Sequence, residues 1–132
     1  ALKGQLPWPA EGRIIAKFGR QWNSKLKTTT ENPGIDIKGK PGSAIRSVLG
    51  GIVTTITYIR GYGTTLIIDH GGGFYTVYSH VTNIQTSVDS QVRNGDIIAY
   101  MGDSGSINGS KLHFEIWGKG QKLDPEKWLI KK

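Results

Sequence analysis

Short β-branched runs broken by glycine set the rhythm of this chain. Residues 50–59 (GGIVTTITYI), 64–70 (TTLIIDH) and 74–80 (FYTVYSH) are strand-like, with Arg60-Gly61-Tyr62-Gly63 and Gly71-Gly72-Gly73 between them. Glycine supplies the positive-φ conformations of tight hairpin turns, so the three runs predict an antiparallel meander. Residues 96–101 (DIIAYM) and 112–117 (LHFEIW) predict further strands. No stretch sustains a helical apolar period, and the one short helical turn expected is at Pro125-Glu126-Lys127-Trp128. The fold class is mostly β. Two polar segments read as loops: 19–31, rich in Thr, Lys and Asn around Trp22, and 102–110 (GDSGSINGS).

Side chains alternate faces along a strand. Lys111, His113 and Glu115 therefore share one face, and Leu112, Phe114 and Ile116 pack on the other. The same rule groups Tyr78 with His80 and Gly34 with Asp36. A histidine-bearing polar face above an apolar one suits a site. His70, before the triple glycine, carries only the ordinary reading of an exposed or hydrogen-bonded histidine.

At 132 residues the chain is read as one domain, 1–132, long enough to bury a core without staples. It has no cysteine, which excludes disulfides and thiolate metal sites but leaves the compartment open. No segment approaches the roughly 18 apolar residues of a membrane span. The N-terminus lacks a signal-peptide core, as expected of a mature, truncated or cytoplasmic chain. The net charge is +7, and residues 1–60 hold 10 Lys and Arg against 3 Asp and Glu. That field favours an anionic partner. Nucleic acid is set aside, because aromatics are not interleaved with the cations as a stacking platform requires.

Taken together, several landmarks resemble a LytM/lysostaphin-type peptidoglycan endopeptidase domain across nearly the whole chain. They are Gly34-Ile35-Asp36-Ile37, Gly51-Ile52-Val53, Gly61-Tyr62-Gly63, Ile68-Asp69-His70-Gly71, Tyr78-Ser79-His80, Gly95-Asp96-Ile97-Ile98-Ala99 and Leu112-His113-Phe114-Glu115-Ile116. The opening Leu6-Pro7-Trp8-Pro9 further resembles the EnvC-like amidase-activator branch. The resemblance implies an antiparallel sheet or sandwich of the duplicated-hybrid type with polar loops around a groove. It also implies a C-terminal fragment of a longer protein, at the periplasm or cell envelope. Trp22, Ser104 and Ser106, in the two loops, are the groove candidates.

The family's zinc is held by a His four residues before an Asp and by the second His of a His-x-His. The first His of that pair and one in Tyr-x-His handle protons. Carried onto this chain, Asp36 and His113 match ligands and His80 matches a catalytic histidine. Asn32 and Lys111 stand where the other two histidines belong. A neutral Asn carbonyl is a poor substitute for imidazole. An ammonium about 5 Å from a divalent ion, at an effective dielectric near 20, is repelled by roughly 6–7 kcal/mol. Lys111 is also a poor proton shuttle near neutral pH. The altered pattern predicts a metal-poor, hydrolytically inactive site, with no cofactor unless the altered donors still take zinc. It further predicts that the Lys111 ammonium pairs with Asp36 in the ion's place. Glu31 would point away from Asn32, and Asp103 is a remote alternative carboxylate.

The leading expectation is a regulatory pseudo-peptidase whose partner is a cell-wall amidase. An active zinc endopeptidase and a non-catalytic peptidoglycan-binding module are the alternatives. A lipoyl or biotinyl carrier is set aside, because Met101 has no adjacent Lys.

Overall fold

Strand β12, Lys111–Gly118, runs through the middle of a computed structural model that describes residues 2–102 and 109–132. The preceding strands are β1 (Arg13–Ala16), β2 (Gly19–Asn23), β3 (Thr28–Asn32), β4 (Ile35–Lys38), β5 (Ala44–Arg46) and β6 (Gly51–Ile59). They continue with β7 (Gly63–Asp69), β8 (Phe74–Ser79), β9 (Val81–Thr82), β10 (Gln91–Val92) and β11 (Ile97–Met101), and β13 (Gln121–Leu123) follows β12. The main sheet has the order β1-β4-β12-β8-β7-β6-β10, with β13 paired to the end of β12. A smaller sheet, β5-β11-β9, shares its core. A single helical turn, α1 (Pro125–Trp128), is capped by Asp124, whose side chain accepts from the Glu126 amide.

The inner face of β12 supplies Leu112, Phe114 and Ile116, all fully buried. They pack with Ile35 and Ile37 of β4, Leu66 and Ile68 of β7, and Ile45, Ala99 and Met101 from the smaller sheet. Burying a Leu, Ile or Phe side chain contributes roughly 1.5–3 kcal/mol. This interdigitated layer therefore fixes the register that sets the polar face of β12. The meander forms as the β-branched runs predict, and its β7–β8 turn holds Gly71, Gly72 and Gly73 at φ of 88°, 63° and 80°.

His70 lies beside this turn and takes the ordinary reading. It bridges the Gly50 carbonyl at 2.8 Å and the Thr76 hydroxyl at 2.7 Å. The Thr76 hydroxyl is in turn 2.8 Å from the buried Tyr78 phenol.

Two expectations are corrected. Residues 19–31, read as a loop, form most of the β2–β3 hairpin, with Gly19 opposite Asn32 and Asn23 opposite Thr28. Both hairpin faces are largely exposed, so no apolar alternation marks the strands. Tyr78 and His80 do not share a face. Tyr78 is fully buried against Phe114, whereas His80 takes φ of 64° just past β8, which turns its side chain out of the strand's alternation.

The close approach of β4 and β12 beside the polar face requires glycine. A Cβ on Gly34 would lie 2.1 Å from the Phe114 carbonyl oxygen and 2.8 Å from Glu115 Cγ. Gly34→Ala is therefore expected to cost about 1–3 kcal/mol by forcing the strands apart. Thermal melts check this, and an unchanged midpoint would show that the strands can separate freely.

Candidate functional site

Pairing of β4 with β12 sets His113 directly opposite Asp36. On that outer face the side chains form one continuous polar chain. Lys111 Nζ lies 3.0 Å from Asp36 Oδ2, and His113 Nδ1 lies 2.6 Å from Asp36 Oδ1. His113 Nε2 lies 2.8 Å from Glu115 Oε2, and the Trp117 indole N–H donates to Glu115 Oε1 at 2.7 Å. Side-chain exposures of 12% for Lys111, 14% for Asp36 and 3% for His113 put these charges largely out of water. The expected pairing of Lys111 with Asp36 is present.

The protonation pattern follows from these contacts. Burial alone would raise the Asp36 carboxyl, but hydrogen bonds and charge from His113 and Lys111 outweigh it and hold it below its ordinary 3.8. Burial would likewise depress His113, yet Asp36 and Glu115 on either side lift it above 6.5. Burial also acts to raise Glu115, and His113 and Trp117 outweigh it, leaving the carboxyl below 4.5. The flanking carboxylates thus favour the imidazolium form of His113.

The raised His113 value adds stability that is complete below 6.5 and is lost as pH rises through the folded-state value. The lowered carboxyls add stability that is present above 3.8 and 4.5, respectively, and is lost as pH falls through their folded-state values. The melting-temperature gap between the native chain and His113→Gln should therefore shrink as pH is raised above 6.5. A gap constant with pH would contradict the imidazolium.

A cavity of about 330 Å³ opens over this cluster, lined among others by Asn32, Asp36, Tyr62, His80, Lys111 and His113. His80 is buried beside it, with its ring 6.3 Å from that of Tyr62. The Tyr62 ring is in turn 4.8 Å from His113. Tyr62 lines the cavity although the sequence pattern does not single it out as a site residue. Its signal was an aromatic side chain held between two glycines in the β6–β7 turn.

Asn32 ends β3, and its Oδ1 accepts from the Gly34 amide at 3.1 Å. Glu31 pairs with Arg20 at 3.3 Å on the surface. Trp22, expected at the groove, is 64% exposed on the hairpin, and Gln21 and Thr30 line the cavity instead. Trp22 is offset by one from Gln21, so strand alternation sends its side chain to the other hairpin face. Asp103, Ser104 and Ser106 lie outside the described residues.

These donors do not fit a resident zinc ion. Asp36 holds an ammonium, His113 Nδ1 is committed to Asp36, and the Asn32 oxygen is committed to backbone. Among the described residues, no group of three or more His, Cys, Asp or Glu is arranged to hold a metal. Lys38 stands opposite Lys111 across β4 and β12, and Arg13 opposite Lys38 across β1 and β4, so two further cations lie to one side of the cluster.

The model of peptidase family M23 matches residues 30–125. The chain is 33% identical over 129 residues to the murein hydrolase activator EnvC of Escherichia coli, covering 98% of this chain and 30% of that protein. It is 40% identical over 123 residues to outer membrane antigenic lipoprotein B of Haemophilus influenzae, covering 92% of this chain and 28% of that one. The chain thus spans less than a third of the length of these relatives. Among solved structures, a zinc-containing peptidase from Vibrio cholerae shares the fold with a TM-score of 0.85 at 23% identity, over 96% of this chain and 40% of that one.

Proposed function

From the premise that this chain belongs to peptidase family M23, we propose that its altered centre serves recognition and that the domain regulates murein hydrolysis by binding and activating a cell-wall amidase. The carrying observation is the Lys111–Asp36 ion pair, 3.0 Å long and largely buried, at two positions where the resemblance implies a catalytic histidine and a metal ligand. A side chain that neutralises Asp36 keeps the groove folded without an ion. Imidazole chemistry is reduced to His80 and to a His113 already held by two carboxylates. The relatives named as murein hydrolase activator and outer-membrane lipoprotein support a regulatory role and a place in the cell envelope.

The cations Arg13 and Lys38, beside the cluster, fit an acidic surface on the amidase. Charge complementarity there would speed encounter and fix orientation. Dye-labelled sacculi test the reading. The domain alone should release no soluble dye, and the domain with an amidase should release more than the amidase alone. Release by the domain alone would make it a peptidase. Binding to sacculi with no effect on amidases would make it a wall-binding module.

A further inference from the structure

The β2–β3 hairpin forms its own two-stranded sheet, and every residue from Arg20 to Glu31 is exposed. It carries Leu26, the most exposed large hydrophobic among the described residues at 70%, and Trp22 at 64%. Both large apolar side chains therefore stand mostly in solvent on one hairpin.

The tip is shaped in advance. Asn23 Oδ1 accepts from the Lys25 and Leu26 amides, at 3.0 Å and 3.1 Å, which closes the turn around the apolar residue. Lys27 follows at φ of 53°, a left-handed conformation in which Gly or Asn would be cheaper. Turn chemistry therefore does not explain a lysine there. Lys25 and Lys27 flank Leu26, and residues 20–30 hold no carboxylate. Arg20 is neutralised by Glu31 further down the hairpin, so the positive charge concentrates at the apolar end.

We infer that this tip is a reversible contact for an anionic lipid surface, with Leu26 and Trp22 entering the interface and Lys25 and Lys27 on headgroup phosphates. Tryptophan settles at membrane–water boundaries, and each lysine near an anionic leaflet adds attraction that salt screens. A protein partner fits less well, because a convex tip of a few residues supplies far less than the roughly 800 Å² per side of a stable interface. The inference rests on the envelope location proposed above and on nothing in the amidase reading, so the two fail separately.

The test is co-sedimentation with phosphatidylglycerol/phosphatidylcholine vesicles against phosphatidylcholine alone, at low and high salt. The native chain should partition onto the anionic vesicles, and salt should weaken it. Trp22→Ser/Leu26→Ser and Lys25→Gln/Lys27→Gln should each lose about tenfold in partitioning. The charge-matched Lys3→Gln/Lys40→Gln should keep nearly all of it. Tip variants should melt close to the native chain, since these residues are mostly exposed. Absence of native binding overturns the inference. So does binding that the tip variants retain, which would trace it to the overall +7 charge. Tip variants that lose amidase activation while the native chain ignores vesicles would make the tip a protein contact, again overturning it.

Discussion

Asp36→Ala is expected to lower folding stability by about 3–5 kcal/mol, the usual cost of breaking a buried ion pair by removing one partner. The carboxylate sits between Lys111 at 3.0 Å and His113 at 2.6 Å, and both partners are largely out of water. Without it, two cations confront each other with no counter-charge on that side. His113 keeps Glu115 and can lose its proton, and Lys111 can swing toward the cavity mouth, so relaxation favours the lower end of the range. For a chain of this length the loss corresponds to a fall of roughly 10–15 °C in melting temperature. Lys111→Met in the same background separates the pair from its surroundings. The double variant Asp36→Ala/Lys111→Met should recover part of the loss, because an apolar replacement removes the stranded charge. If Asp36→Ala melts within a degree or two of the native chain, the cluster does not hold the fold.

The second large effect is a gain. Asn32→His/Lys111→His is expected to bind one zinc ion at least about 100-fold more tightly than the native chain. Lys111 shares the outer face of β12 with His113, so histidine at 111 would put a neutral imidazole beside Asp36 in place of an ammonium. That change removes the repulsion of roughly 6–7 kcal/mol between ammonium and ion. Asn32 lines the same cavity from β3, and histidine there restores the donor type that zinc prefers. Losing the Asn32 bond to the Gly34 amide costs about 1 kcal/mol, which is small beside the gain. Calorimetric titration of the double variant, with both single variants beside it, measures this. A double variant that stays silent would mean that the backbone no longer holds the positions at ligand spacing.

Strand β12 was the most legible part of the molecule. Strict alternation in Lys111 to Ile116 separated the polar cluster from the core, and the structure places each side chain on the expected face. The Lys111–Asp36 contact followed from charge logic, since a carboxylate in a dry site needs a cation. The hairpin did not show, because strands exposed on both faces carry no period-two apolar signal. Strands β1 and β5 are too short, at four and three residues, for a pattern to emerge. The orientation of His80 depends on one left-handed backbone angle at a non-glycine residue, which no pattern of polarity encodes. Tyr62 joins the site through the fold of a turn, bringing it within 4.8 Å of His113, a residue far along the chain.

The most direct test of the central claim is a zinc titration of the metal-stripped native chain by calorimetry. An ion pair already in the metal's place predicts no saturable heat, and a melting temperature unmoved by zinc or by a chelator. Tight binding of one ion per chain, with a matching rise in melting temperature, would contradict the account and make hydrolysis the first reading of this site.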